Sequence, residues 1–245
     1  MKKINLKEMF KTLAIALIFA TIFRTFFFQP FAIPSGSMIP TLIIGDRLLV
    51  EKFSYGYSKY SFPLNMIPFS GKILDIHKPK RGQIVVFKRP EKGNEYFIKR
   101  VMGLPGDKIA VKKGIVHVNG KANHLEYIRE DDINIGKYKL SAYMYKETNV
   151  DGYSYFIYKL SKDAKFIDDN FAEVIIPDGH YFMMGDNRNN SSDSRFEDMG
   201  FIPSDKIIGK ARILFFSSSA HLYEIHKFKD EIYWNRMLKR LDKST

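Results

Sequence analysis

The stretch "YFIKRVMGLPGD", Tyr96 to Asp107, contains both a strand and the turn that ends it. Its first half is aromatic and β-branched, and Pro105 followed by Gly106 is the order a type II turn wants. Alternation along an extended chain puts Phe97, Lys99 and Val101 on one face and Tyr96, Ile98 and Arg100 on the other. Lys99 therefore shares its face with apolar neighbours while Arg100 points away. A lysine in a strand is ordinarily a solvated edge residue, so this placement gains meaning only beside other segments.

The flanking sequence is strand-like too. "DRLLVEKF" from Asp46, "QIVVFKR" from Gln83, "GHYFMMGDN" from Gly179 and "KIIGKARILFFS" from Lys206 are short runs bounded by Gly or Pro. "KIAVKKGIVHVNGK" from Lys108 reads as strand, tight turn at Lys113-Gly114, strand, then an Asn119-Gly120 hairpin turn. Residues 121–178 are polar, charged and tyrosine-rich without a clear period, and are expected to form an inserted subdomain. At the end, "KDEIYWNRMLKRL" spaces Trp234, Met237, Leu238 and Leu241 as a basic amphipathic helix would.

The other end is apolar. Met9 to Phe28 is about 20 residues, roughly 30 Å as a helix, which is enough to cross a bilayer. Lys2, Lys3, Lys7 and Lys11 precede or open it, so the positive-inside rule puts the N-terminus in the cytoplasm and everything after Gln29 on the far side. A cleavable secretory peptide is the competing reading, with Ser35-Gly36-Ser37 as a small-x-small site. Arg24 interrupts the apolar run too far from Ser37 for that, and near the span's outer end it can snorkel to the interface. The expected layout is a tail (1–8), an anchor (9–28), a mostly β main domain (29–120 and 179–220), an inserted subdomain (121–178) and a basic C-terminal segment (221–245).

Of the 245 residues 45% are hydrophobic and 27% charged, which argues for a folded chain. The net charge of +12 suits anionic lipid as well as nucleic acid. There is no cysteine, which excludes disulfides and thiolate metal sites. His77, His117, His124, His180, His221 and His226 are scattered without ligand spacing. "DNRNNSSD" from Asp186 lacks the glycine and terminal acid of a calcium loop. Neither a metal nor a cofactor is expected.

The scattered histidines also argue against a Ser-His-Asp triad, and the other route to an activated serine is a lysine base. "FAIPSGSMIPTL", Phe31 to Leu42, sets Ser35, Gly36 and Ser37 among Ile33, Met38, Ile39 and Leu42, an apolar content for which a plain linker has no use. A serine can be activated by a lysine, provided the lysine is neutral, and burial lowers its ordinary pKa of ~10.4. A third segment, "GDNRNNSSDSR" from Gly185 to Arg195, offers a hydroxyl to orient the amine and an Asp193/Arg195 pair to brace a loop.

Taken together, "PSGSMIPTL", "GDRLLVEKF", "YFIKRVMGLPGD" and "GDNRNNSSDSR", in this order behind one anchor, resemble bacterial type I signal peptidases from about Gln29 to Phe215. The resemblance implies a β-rich catalytic domain with a smaller inserted subdomain, and a membrane-anchored serine endopeptidase that removes signal peptides after Ala-x-Ala-like sites. By position, Ser37 corresponds to the nucleophile, Lys99 to the general base, and Ser35 with the Ser37 N–H to the oxyanion hole. Ser191 corresponds to the residue that hydrogen-bonds the lysine, Gly185 to a glycine packed against it, and Asp193 with Arg195 to a supporting ion pair. Ile33, Pro34, Met38, Leu42, Phe97 and Ile98 would line the substrate pockets, the peptide adding as a strand.

The implied partners are preprotein signal peptides, anionic membrane lipids and nearby export machinery, with no nucleic acid. The implied place is the bacterial inner membrane, single-pass, with the catalytic domain on the outer face. A conjugation-type pilin maturation peptidase and a non-catalytic anchored binding protein share these features. A self-cleaving SOS-type repressor would carry a DNA-binding module where the anchor stands. The aromatic stretch with Tyr55, Tyr57, Tyr60, Phe62, Met66, Ile67 and Phe69 is expected to dip into the membrane interface, helped by the segment around Trp234.

Overall fold

The computed structural model describes residues 5–62, 70–75, 77–89, 95–135, 138–218 and 232–241. Its one long helix, α1 (Leu6–Phe26), opens on an Asn5 cap whose side chain accepts from the Lys7 N–H. It lies slightly upstream of the expected 9–28, because the chain becomes extended at Phe28 and leaves the helix before it. Leu13, Leu17, Ile18 and Phe19 are all exposed on it, and its mean hydropathy is 1.6 over an 18-residue window. A helix whose apolar side chains are exposed along nearly its whole length, among the described residues, has the character of a membrane span.

The rest is mostly β. In chain order the strands are β1 (Phe28–Ala32), β2 (Asp46–Glu51), β3 (Tyr57–Ser58), β4 (Lys72–Ile73), β5 (Ile84–Lys88), β6 (Tyr96–Gly103), β7 (Lys108–Lys112), β8 (Ile115–Val118) and β9 (Lys121–Ala122). They continue as β10 (His124–Ile135), β11 (Tyr138–Thr148), β12 (Ser154–Lys159), β13 (Phe171–Ile175), β14 (His180–Met184), β15 (Ile202–Pro203), β16 (Ile207–Ser217) and β17 (Lys239–Arg240). Among the described residues the main sheet runs β1-β2-β16-β5-β6-β14-β15, with β17 added to β16, and its recorded pairings are antiparallel.

The main sheet is covered on both faces, and β5 shows why "IVVF" reads as a continuous apolar run. Ile84 and Val86 enter one core with Met38, Leu42, Leu48 and Val50, while Val85 and Phe87 enter another with Val101, Met183 and Ile207. The turn after β6 forms as its residues dictate. Asp107 N–H donates to the Leu104 carbonyl at 3.0 Å, and Gly106 adopts φ +84°.

A second group of strands stands beside this sheet, and its start differs from the expected 121. β7 and β8 pair with β13 and β9, so the second sheet begins at Lys108. The long β10–β11 hairpin, extended by β12, accounts for the tyrosine-rich region. No period was legible there because most residues of its outer arms, such as Tyr138 and Leu140, are exposed and no buried face imposes alternation.

Two expectations are corrected. The C-terminal segment is not a helix where it is described: a 3-10 turn at Trp234–Arg236 leads into β17, and Leu241 is buried in the core beneath β16. A main-sheet edge pairing overrides its helical spacing. In the aromatic stretch, Tyr55 and Tyr57 are buried, and the Tyr57 hydroxyl donates to the Phe26 carbonyl at 2.7 Å. Tyr57, together with Phe62, docks the domain on Phe26 at the end of α1. Met66, Ile67 and Phe69, like His221 and His226, lie outside the described residues.

Gly209 in β16 sits between β2 and β5 at a break in register, and a Cβ there would collide with the Glu51 carbonyl. Gly209→Ala should destabilise the domain by about 1–3 kcal/mol, as overpacking does, in a denaturant unfolding titration.

Candidate active site

Three segments that are distant in sequence meet at one end of the main sheet. The loop after β1 delivers Ser37, β6 delivers Lys99, and the loop after β14 delivers Gly185 to Arg195. Val85 lies opposite Lys99 in the β5–β6 register, and β14 pairs with β6 only from Arg100 onward. Among the described residues, the half of β6 from Tyr96 to Lys99 therefore keeps one edge unpaired. β1 is the edge strand on the far side of the same opening.

Lys99 Nζ lies 2.6 Å from Ser37 Oγ, and the lysine is only 2% exposed. Burial drives its pKa down from the ordinary 10.5 to about 8; Asp193 and Asp186 oppose this and Arg195 adds to it. In the ammonium form the amine donates to the hydroxyl. Once neutral it accepts from it, which is the polarity a general base requires.

Gly185 is where these segments touch. A Cβ there would strike both the Ser191 hydroxyl and the Ser37 carbonyl, so only hydrogen fits. Asn187 holds the serine segment from the same loop: its N–H donates to the Ser37 carbonyl at 3.1 Å and its side-chain amide to the Gly36 carbonyl at 3.1 Å. With its carbonyl occupied in this way, Ser37 keeps its own N–H clear; among the described residues no intrachain acceptor meets it.

The loop itself is braced by Arg195. Its Nε and Nη2 reach the two Asp193 oxygens at 2.8 and 2.9 Å, and Nη1 reaches Asp168 at 3.1 Å. Burial alone would raise the Asp193 pKa, but Arg195 and the Gly185 N–H hold its carboxyl below the usual range, with Ser191 close enough to contribute. Ser191 Oγ itself is buried without a hydrogen-bond partner among the described residues. The lysine contact expected of it is not made here.

A cleft of about 700 Å³ opens over the pair, walled by Phe31 to Ser37 on one side and Glu95 to Lys99 on the other. Ile33, Pro34, Ser35, Phe97 and Ile98 line it as expected. Met38 and Leu42 do not: both are fully buried in the core beneath it, because the chain turns inward after Ser37. Asn190 and Ser192 complete the lining. Sequence reasoning passed over them as turn residues, and over Asn187 too, since nothing in a run of Asn and Ser marks which side chain faces inward.

Residues 6–216 match the family described as "Signal peptidase, peptidase S26". Among curated proteins, the Signal peptidase I of Rickettsia typhi is 37% identical over 224 residues, spanning 87% of this chain and 81% of its own. That of Rickettsia canadensis is 38% identical over 218 residues, spanning 85% and 79%. A solved signal peptidase I from Enterococcus faecalis is 23% identical over 54% of this chain and 96% of its own, with a TM-score of 0.31.

The depressed lysine pKa has a stability consequence. Between about pH 8 and 10.5 the unfolded chain holds a proton on Lys99 that the folded chain has lost, so folding becomes more favourable as pH rises through that window. Below it the burial penalty is fully present. Lys99→Met should therefore be more stable than the parent at pH 7 by roughly 1–3 kcal/mol, with the gain shrinking toward pH 10.5 in unfolding titrations.

Proposed function

The chain belongs to the signal peptidase family, peptidase S26, and on that premise we propose that it cuts signal peptides from exported preproteins with a Ser37/Lys99 dyad. The 2.6 Å contact between a serine hydroxyl and a buried lysine carries this reading. Ser37 attacks the scissile carbonyl while neutral Lys99 takes its proton. The clear Ser37 N–H and the Ser35 hydroxyl, exposed on the cleft wall, are the candidate donors to the oxyanion. Removing one such preorganised donor lowers kcat by about 10²–10³-fold.

The preprotein binds as an added strand between the open edges of β1 and β6, with main-chain hydrogen bonds giving affinity and side-chain pockets giving selectivity. Ile33, Pro34, Phe97 and Ile98 make those pockets shallow and apolar, which suits small residues and thus Ala-x-Ala-like sites. Asp193 and Arg195 hold the loop carrying Gly185 and Ser191 against the lysine. Helix α1 anchors the enzyme in the inner membrane with the N-terminus inside, the domain outside and anionic lipids as its surroundings. A pilin maturation peptidase would share the dyad and differ in its substrate.

Lys99→Arg should abolish cleavage of a preprotein bearing an Ala-x-Ala site, because arginine stays protonated in proteins. Ser37→Ala should be equally inactive and the double variant no worse, since the two residues act as a unit. The parent rate should climb as pH rises through about 8, where Lys99 loses its proton. Product mapping by mass spectrometry measures all of these, and substantial activity in Lys99→Arg would overturn the dyad. Protease added to intact spheroplasts should digest the domain from Phe31 onward; full protection would reverse the topology.

A further inference from the structure

Between β12 and β13 the chain makes a 3-10 turn at Ile167–Asp169, and this turn is bolted to the catalytic loop. Arg195 Nη1 donates to the Asp168 carbonyl at 3.0 Å and to its carboxylate at 3.1 Å. Asn189 Nδ2 lies 3.2 Å from a carboxylate oxygen of both Asp168 and Asp169. The second Asp169 oxygen accepts from the Phe166 N–H at 3.0 Å. Both aspartates are buried, yet Ile167 is 90% exposed and Phe166 is exposed beside it. A lone exposed isoleucine ordinarily carries no meaning. Here the turn is fixed at several points, so it presents apolar surface that is already ordered for contact.

Ile167 overlooks a cavity of about 610 Å³, lined by Phe166, Ile167 and Phe196 together with residues 189–192. Its two other lining groups are carboxylates that are already paired, Asp168 with Arg195 and Asp198 with Arg89 at 2.5 Å. The cavity thus offers apolar side chains and no uncompensated carboxylate. Asn190 and Ser192 line the catalytic cleft as well, so the two spaces share a wall.

The direction of the cleft says which part of a preprotein reaches this cavity. The rings of Phe31 and Tyr96 meet at 5.2 Å at the end nearest α1, since Phe27 alone separates the helix from β1. A signal peptide arriving from the membrane enters there, and its cut bond lies at Ser37. Asn190 and Ser192 stand at the other end, on the loop whose Asn187 N–H holds the Ser37 carbonyl. We propose that the cavity beside Ile167 is a subsite for the residues that follow the cut and that it selects an apolar side chain among them. The proposal rests on the peptidase reading above and adds a preference that the small-x-small motif does not contain.

Peptides with one Ala-x-Ala site test this when Leu is exchanged for its near-isostere Asn, one position at a time. The exchange is made at the first four positions after the cut and at the positions before the motif, with the full chain in detergent. At a position after the cut the parent should prefer Leu in kcat/KM by roughly fivefold to tenfold, as a half-open apolar site does. Ile167→Ser should bring that ratio close to one, and at 90% exposure the change removes little packing. Ile175→Ser, on β13 and also exposed, should keep the parent's ratio. A Leu preference that survives in Ile167→Ser, or that lies only before the motif, overturns the subsite. Cleavage with no Leu preference overturns it alone, whereas failure to cut any of the peptides overturns the peptidase reading and this one with it.

Discussion

Arg100 and Asp186 form the contact on which the arrangement of this site depends. Arg100 follows Lys99 in β6 and points from the opposite face; it is fully buried, and its Nε and Nη2 reach the two Asp186 oxygens at 2.8 and 2.6 Å. Nη1 donates to the Gly82 carbonyl at 2.5 Å, and the guanidinium stacks 3.9 Å from the Tyr155 ring centroid. The Thr41 hydroxyl donates to the same carboxylate at 2.5 Å. One carboxylate thus ties together β6, the loop that begins at Gly185 and the loop that carries Ser37. Buried ion pairs return little net stability after desolvation, and their best-attested use is to fix registry. Registry is what this site needs: Lys99, Gly185 and Ser37 each lie within four residues of a partner in this contact.

The same pairing removes an electrostatic objection. A permanent positive charge one residue from Lys99 would perturb the amine directly if it shared the cleft. Alternation places Arg100 on the far face, and Asp186 neutralises it there. The main cause of the lowered Lys99 pKa is accordingly burial, with Asp193 and Asp186 pulling the other way. The loop that carries Ser37 is clamped from its other side as well. Arg236 reaches Asp46 through Nε and Nη2, at 3.2 and 2.6 Å, and the Thr41 carbonyl at 3.1 Å. A segment whose spacing suggested a surface helix turns out to lock this loop from behind.

Strands with a buried face were legible, and so were the three segments that the structure brings together around Ser37 and Lys99. β2, β5, β6, β14 and β16 announce themselves through apolar runs, and Leu104 to Asp107 through its Pro-Gly turn, because burial and backbone chirality act locally on those residues. Alternation gave Lys99 apolar neighbours, but it stood out only beside the segments around Ser37 and Gly185. What stayed illegible was set by contacts distant in sequence. Met38 and Leu42 look no different from pocket residues until the core beneath the cleft is seen. Asp186 and Arg100 are 86 residues apart, and nothing local says that they pair. The outer arms of the β10–β11 hairpin are largely solvated, so only its inner residues such as Ala142 and Met144 meet a core, too few to give a period.

The proposed membrane geometry follows from how little chain separates α1 from the cleft. Phe27 alone lies between the helix end at Phe26 and β1, so the edge that would receive a peptide starts at the bilayer surface. Five residues of β1 rise roughly 17 Å, and Ser37 lies five residues beyond its end. A signal peptide whose apolar core still spans the bilayer can therefore reach the serine with only a short extended stretch. The docking of Phe26 against Tyr57 and Phe62, at 5.6 and 5.9 Å between rings, keeps that height from varying. On this reading the enzyme selects its cut by two measures at once: the shallow pockets judge side-chain size, and the fixed height of the cleft judges distance from the membrane. A small-x-small site buried deeper in an exported protein satisfies the first and fails the second.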